Sequence, residues 1–505
     1  MNYPFWDVPH LGSGWVIGMI AIFHVLVSHF AIGGGFYLPM AERKALKENR
    51  PDWMVYIKKH SKFFLILTGA YGTVTGVGIW FAIGLANPEA TSTLIHNFVF
   101  GWAIEWTFFI IEVTAAVAYY YTWGRVSDKL HLTIGWIYAI SAWLSLVIIN
   151  GILTFMLTPG EGWLSVAGTG TEASKFWHAF FNPTYFPSAC LRTVICISLA
   201  GIWALLTASR IDGRKQPKLK TEVIRWSASW LLPAFVLLPV FFLWYLYAIP
   251  AEARGLLQLG MTTIGQGVFT QVTRASLVTV MTSATILAIV YFMAYRNPRD
   301  FGFGHAFAVL ILALAATAST EHTREMLRKP YVIGQHMFSN GVRTTEVASF
   351  TKNGYLTKSP WASAEDHVKW AAIDAKLTQA LIPVQPAAQG APAPVPPSTR
   401  SLLTAEEWIS QLDRGKLIFQ GQCLACHTRD AYRPMLRLLA DRDRTAIGNI
   451  LQMLHEYKTD SPYRKFMPPL VGTADEVKAL GDYLDSLVNV PKPPVATNVA
   501  AAPAP

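Results

Sequence analysis

Charge is scarce in this chain. Of its 505 residues only 15% are Asp, Glu, Lys or Arg, against 52% apolar and aromatic, and the mean hydropathy is +0.31. A water-soluble chain of this length has no use for so much apolar surface, so most of it belongs in a bilayer. Cysteine is scarce too: there are four, too few for a disulfide framework, and each thiol has to be explained by itself. A glycine-rich nucleotide loop and an internal repeat are both missing, so nothing points to a nucleotide-binding enzyme or a repeat array. The formal charge of +10 would suggest nucleic acid in a soluble protein. Here the basic residues gather between apolar segments, where they set topology, and no nucleic-acid partner is expected.

What is present centres on CLACH, Cys423 to His427. Two cysteines at i and i+3 followed at once by histidine suit c-type haem attachment. The thiols add to the two vinyl groups while the adjacent imidazole coordinates iron from the same turn. Redox and zinc sites can share the pattern, but here FMPPL follows, and its Met467 is a soft thioether in a proline-stiffened loop, suited to be the second axial ligand. RGKLIFQGQC, Arg414 to Cys423, resembles the first helix of a small class I cytochrome c, and Ala474 to Leu487 its closing helix. That resemblance covers Thr404 to Val490 and implies one covalent haem c. Such attachment is normally an exported-side chemistry, so the stretch also assigns a compartment. Cys190 and Cys196, in an apolar run, are expected to be small buried hydrophobes.

Eight spans are expected, approximately Trp15 to Met40, Phe63 to Leu85, Phe100 to Tyr121, Leu132 to Leu157, Cys190 to Leu206, Ser229 to Ile249, Ala275 to Tyr295 and Phe303 to Thr320. The loops decide orientation. The first holds Arg43, Lys44, Lys47, Arg50, Lys58 and Lys59, the third Arg125 and Lys129, the fifth six basic residues from Arg210 to Arg225, and the seventh Arg296 and Arg299. The second holds none, the fourth only Lys175 and the sixth only Arg254. This alternation puts the odd loops in the cytoplasm and both termini on the exported side, in agreement with the haem motif. The first span lacks a basic amino end and carries His24 and His29, so it does not read as a cleaved signal peptide. After span eight a polar segment leads to IPVQPAAQGAPAPVPP, Ile382 to Pro397, a semi-rigid tether; Pro491 to Pro505 repeats its composition as a tail.

Ionisable groups inside spans are costly and generally face a cavity, a cofactor or a proton path. His24 and His29 are five residues apart, about 140° round a helix, so they cannot address one iron from one face. Either one binds haem and the other hydrogen-bonds, or they serve different haems. Glu105 and Glu112 in GWAIEWTFFIIE are seven apart and share a face, an arrangement suited to passing protons. At the outer edge of span eight, EHTREMLRKPY gathers Glu321, His322, Arg324, Glu325 and Arg328. There Glu325 suits a high-spin iron and Arg328 a haem propionate. Each of these groups also has a plain structural reading, as a paired or hydrogen-bonded side chain.

Five stretches together resemble subunit I of cytochrome bd oxidases. They are IFHVLVSHFAIG, GWAIEWTFFIIE, TWGRVSDKLHLTIGW, NGILT and REMLRKPYVI, and the resemblance runs from Gly14 to Gly334. It implies that His24 and Glu325 ligate the oxygen-reducing haem pair, that Glu105 and Glu112 line the proton route, and that His131 occupies a family position. It implies one, two or more non-covalent b- or d-type haems, quinol as a possible reductant, and partners among other membrane subunits, an exported cytochrome c or other donor, and the quinone pool of a bacterial cytoplasmic membrane. The family's low-spin haem takes a histidine from span five and a methionine from span seven; here Arg192 and Ser276 stand in those stretches, neither an ordinary haem ligand. The usual low-spin centre is therefore expected to be missing or moved. Loop six is also too short for the family's quinol-binding loop.

The expected fold is all-α: a polytopic membrane helix bundle of about eight spans over residues 1–334, a connecting segment and tether over 335–398, an exported class I cytochrome c domain over 399–490 and a tail over 491–505. The expected function is respiratory electron transfer between the exported haem c and the membrane haems, with dioxygen reduced and protons taken up. A quinol:cytochrome c oxidoreductase or relay without oxygen chemistry, and a mainly structural subunit, are the alternatives. Protease added to intact spheroplasts should cut between Ile382 and Pro397 and remove the haem c domain; a protected tether in correctly oriented cells would sink the orientation.

Overall fold

The computed structural model describes residues 6–8, 10–251, 253–255, 269–380 and 399–489. The expected tether at 382–397, the tail at 491–505 and the middle of loop six lie outside the described residues. The chain forms two units, Trp15–Thr344 and Thr345–Pro505 with Met1–Gly14.

The first unit is a helix bundle in which eight helices are long and apolar enough to cross a membrane: Ser13–Lys47, Pro51–Ala86, Val99–Tyr121, Asp128–Phe155, Tyr185–Ala208, Pro217–Ala248, Gln271–Arg296 and Phe303–Arg328. These are spans one to eight below. Their number agrees with the hydropathy reading, but several run longer. Span two starts at Pro51, and span eight continues to Arg328, so the charged EHTREMLR stretch is its last two turns. Span two passes through a π-helical turn at Leu67–Gly72. Strand among the described residues is confined to an antiparallel pair, Tyr331–Ile333 with Met337–Phe338, just after span eight.

Span one is the hub of this bundle. Lipid tails are as apolar as leucine, so helices in a membrane associate by close packing, and glycine is what permits it. Gly33, Gly34 and Gly35 each advance about 100° round the helix, so they meet different neighbours. A Cβ on Gly33 would lie 1.8 Å from the Cys196 carbonyl oxygen of span five, one on Gly34 2.6 Å from the Phe64 ring of span two, and one on Gly35 2.4 Å from the Tyr138 ring of span four. Toward the basic end, the Tyr37 and Ser227 hydroxyls bond at 2.9 Å, and Arg50 reaches both Asp52 and Glu222.

The second unit is built on the helices Ala405–Gln422, Arg444–Glu456 and Ala474–Val488. Thr404 with Glu407, and Thr473 with Glu476, form reciprocal capping boxes that start the first and last of them. Those two helices cross at Gly415, where a Cβ would sit 2.2 Å from the Ala479 carbonyl oxygen.

Of the segment expected to connect two domains over 335–398, residues 335–344 belong to the first unit and the described residues from 345 to 380 are built into this second one. On the helix Ala364–Ala380, Trp370, Ile373 and Leu377 form an apolar stripe at helical spacing, and it shares a core with Ile418, Phe419 and Leu480. Asp374 accepts from Arg414 at 2.7 Å and Lys376 donates to Glu407 at 2.6 Å. Glu476, buried, accepts from the backbone N–H groups of Tyr355, Leu356 and Thr473 at 2.7 to 2.9 Å. The segment reads as polar because three apolar side chains, one per turn, are enough to dock a helix whose other faces stay wet. This corrects the expectation that cutting the tether removes the domain beyond it: cleavage there should nick the chain without releasing residues 399–489. The fragment should stay bound in native buffer and be freed by denaturant, and Trp370→Ala, at a cost of about 3–5 kcal/mol of packing, should let it dissociate. Immediate release from the wild-type protein would show that this docking does not hold.

Candidate functional site

Spans three and four lie side by side and antiparallel, and they hold the two intramembrane glutamates. Glu105 accepts from the Ser145 hydroxyl at 2.9 Å, and Glu112 from the Tyr138 hydroxyl at 3.1 Å. Tyr138 also lies 3.0 Å from the Ala31 carbonyl oxygen of span one. Both carboxyls thus have polar partners where an unpaired one would be costly. Sequence reasoning found the glutamates and missed Ser145 and Tyr138; their seven-residue spacing on span four, matching that of the glutamates, was the signal.

His24 finds its partner on span two. Its Nδ1 is 3.0 Å from Thr75 Oγ1, and that hydroxyl gives its own proton to the Tyr71 carbonyl oxygen at 2.7 Å. Thr75 must then accept from His24, which puts the ring proton on Nδ1 and the coordinating lone pair on Nε2. Gly76 is the cradle: a Cβ there would come within 3.2 Å of the imidazole. The π-helical turn just before Thr75 sets this face of span two, and such turns recur at functional sites. His29, buried, bonds the Val25 carbonyl oxygen through Nδ1 at 2.9 Å, which likewise leaves the lone pair on Nε2, and it feels the charges of Arg192 and Glu321.

Arg192 does not sit alone where a haem ligand might be expected. The charges of Glu321 and Arg324 act on it, and Arg324 grips Glu321 with bonds of 2.9 and 2.8 Å. One turn on, Glu325 pairs with Arg328, and Lys329 stands 3.2 Å from its other oxygen. Arg328 also donates to the Val332 carbonyl oxygen at 3.3 Å, while its Nε is buried with no hydrogen-bond partner among the described residues. A buried guanidinium N–H with nothing to bond is a donor suited to a carboxylate such as a propionate.

In the second unit the helix Ala405–Gln422 delivers Cys423 and Cys426 in a single turn. Burial, with Cys426 beside it, pushes the Cys423 thiol up to about 12. His427 Nδ1 is 3.1 Å from the Arg433 carbonyl oxygen, which favours the tautomer protonated on Nδ1. Met467 lies in the loop before Leu470 and Val471, and that loop is tied to the cysteine-bearing turn by Gln422. The Gln422 amide donates to the Val471 carbonyl at 2.7 Å and accepts from the Val471 N–H at 2.9 Å. His455 adds a third anchor at the Leu470 carbonyl, 3.0 Å away. A glutamine just before the first cysteine carries no recognisable signal in a single sequence. Among the described residues no three His, Cys, Asp or Glu side chains converge as a metal site, and haem iron, held by two axial ligands from separate places, needs no such cluster.

Residues 13–244 match the family described as cytochrome bd terminal oxidase subunit I. Among solved structures, the chain is similar to the bd oxidase from Geobacillus thermodenitrificans, with 14% identity over 63% of this chain and 87% of that one and a TM-score of 0.53, a likeness of fold. No curated protein matches. The family match is to an oxidoreductase and supports an enzymatic or electron-transfer role. It ends before spans seven and eight, so it takes in His24, His29, Glu105, Glu112 and Arg192 and leaves out Glu325, Arg328 and the second unit.

Gln422→Leu keeps the volume and removes both bonds to Val471. It should cost the second unit about 1–3 kcal/mol and speed amide exchange at Val471 well before that of the helix Ala474–Val488. Equal exchange in the two proteins would mean the Met467 loop is held some other way.

Proposed function

We propose that this chain is a membrane subunit of a bd-like respiratory oxidoreductase in which electrons enter through an exported haem c, rather than from quinol through a low-spin membrane haem, and serve dioxygen reduction to water. The observation that carries the proposal is Arg192. It occupies the span-five stretch where the family's low-spin ligand would stand, and the opposite charge of Glu321 acts on it. A guanidinium stays protonated and has no lone pair to offer iron. If the usual intake for quinol electrons is lost while the glutamates of span three and the histidine of span one keep their partners, another donor is needed, and the chain carries a haem c motif of its own.

In this reading Cys423 and Cys426 anchor one haem c, with His427 and Met467 as its axial ligands. His24 and Glu325 hold b- or d-type haem, His29 holds a second haem or a hydrogen bond beside it, and Arg328 receives a propionate. The donor set fits such groups: His24 and His427 each have Nδ1 committed to an oxygen acceptor, and Arg328 has an N–H to give. When bound, the membrane haems would supply an open iron position for dioxygen. The protein's part is to orient the imidazoles through Thr75 and the Arg433 carbonyl, and to keep Glu112 and Glu105 in contact with Tyr138 and Ser145 for proton delivery. Other respiratory membrane subunits, an exported cytochrome c and the quinone pool are the partners this role implies. The termini, in this reading, face the exported side.

The competing reading is a relay in which the membrane haems exchange electrons with the haem c and no oxygen chemistry occurs; the same Arg192 cluster favours it, since it removes one centre of the usual enzyme. The two differ in whether a membrane haem has an open position. The fully reduced complex should bind CO at a membrane haem and be reoxidised by dioxygen, and His24→Ala should abolish the CO difference spectrum with haem c intact. A preparation with all its haems that binds no CO, and reoxidises only through added cytochrome or quinone, would establish the relay.

A further inference from the structure

We infer that Glu42, Tyr119 and His131 are the proton-loading end of the path that Glu112 and Glu105 continue, joined to them through Tyr138 and a cavity of single-water size. The inference deepens the proposed function, resting on it for the direction of proton flow and for the use made of Glu112.

The three side chains are almost completely buried, with exposures of 1% for Glu42, 3% for Tyr119 and 4% for His131. They come from the ends of spans one, three and four. His131 Nδ1 is 2.7 Å from one Glu42 oxygen, the Tyr119 hydroxyl donates to the other at 2.6 Å, and His131 Nε2 is 2.8 Å from the Tyr119 carbonyl oxygen. That carbonyl can only accept, so the Nε2 proton is fixed and the one shared between Nδ1 and Glu42 is the mobile one. Of the charged groups nearby, Asp128 acts on His131 from the exposed first turn of span four; the rings of Tyr119 and Trp123 close the rest of its surroundings, 4.3 and 4.7 Å away.

A structural tie between three helices would account for the trio alone. It does not account for the pattern the trio completes. Glu105, Glu112 and Tyr119 follow one another at seven-residue intervals on span three, and Ser145, Tyr138 and His131 at the same interval on span four. The two helices run antiparallel and every rung is bonded: Glu105 to Ser145, Glu112 to Tyr138, and the Tyr119 carbonyl to His131. Successive rungs are about 10.5 Å apart, too far for one proton hop. Between the lower two lies a cavity of about 10 Å3, lined by Tyr119 and Tyr138 with Gly35, Gly135, Leu38 and Pro39. That is close to the least space a water requires. Two glycines make it: a Cβ on Gly35 would strike the Tyr138 ring at 2.4 Å, and one on Gly135 would press the Tyr119 ring at 3.0 Å.

The proton balance closes. His131, protonated on both nitrogens, passes its Nδ1 proton to Glu42, and its ring turns to take the next proton at Nδ1 from the side of Asp128. The carboxyl turns that proton toward Tyr119, whose hydroxyl rotates away from Glu42, releases its own proton to the cavity water and accepts the one Glu42 holds. The water passes one on to the Tyr138 oxygen, and Tyr138 gives its own to Glu112. Each group ends as it began, with one proton moved and no phenolate left behind.

The test uses the complete haem-loaded protein in sealed proteoliposomes, with a pH dye in the compartment facing Asp128 and rapid chemical reduction of the haems as the trigger. Wild type should take up protons from that compartment, and Glu112→Gln should abolish the uptake. Tyr138→Phe, which keeps the ring against Gly35 and removes only the hydroxyl, should slow uptake about tenfold or more at unchanged haem content. His131→Gln should slow it similarly and be rescued by added imidazole, which a structural tie would not be. Wild-type uptake absent from that side, or a normal rate in Tyr138→Phe, or a His131→Gln defect that imidazole leaves untouched, each overturns the inference. Reduction alone drives the signal, so a complex that takes up protons in this way but reduces no dioxygen would sink the proposed function and leave the path standing.

Discussion

Close approach of helices at Gly33, Gly34 and Gly35 is the constraint on which the membrane unit depends. A side chain at any of the three would have to displace the backbone of Cys196 or the rings of Phe64 or Tyr138. Because consecutive positions face different directions, one short stretch sets the distance from span one to spans five, two and four at once. The polar groups follow from that geometry. Tyr138 reaches both Ala31 and Glu112 because Gly35 lets its ring lie against span one. Arg192 is one turn from Cys196 on span five, so the depth of contact at Gly33 also sets where its guanidinium lies.

A second constraint is the cost of charge out of water. The membrane unit carries Glu42, Arg192, Glu321, Arg324, Glu325 and Arg328 in or at the ends of spans, and in each case the neighbours supply the opposite charge or a hydrogen bond. Removing one partner of such a set leaves the other stranded, which costs far more than the set contributes when complete. That asymmetry explains why the Arg192 cluster is a poor place to re-create a haem ligand by a single substitution: a histidine there would leave Glu321 with one arginine fewer.

The second unit solves a different problem with the same economy. It has a small core, and its loops are held by side chains that serve two backbone groups at once: Gln422 on both polar atoms of Val471, and Glu476 on three N–H groups. Extending the core with the helix Ala364–Ala380 adds apolar area that a fold of three short helices lacks.

Much was legible in the sequence because it depends on local pattern. Apolar length located eight spans, since a bilayer imposes a length of about 20 residues on any helix that crosses it. The spacing of Glu105 and Glu112 put them on one face, and CLACH raised the expectation of a covalent haem. What the sequence could not determine was which residues meet from different helices. Thr75 beside His24, Ser145 and Tyr138 beside the glutamates, Glu42 between Tyr119 and His131, and Gln422 beneath the Met467 loop are pairings between positions 26 to 89 residues apart. Periodicity along one helix says which side a residue occupies, and only packing says what stands opposite. The role of the segment before the tether was decided in the same way, for three apolar residues in a polar stretch become a docking face only when a complementary core is there to receive them.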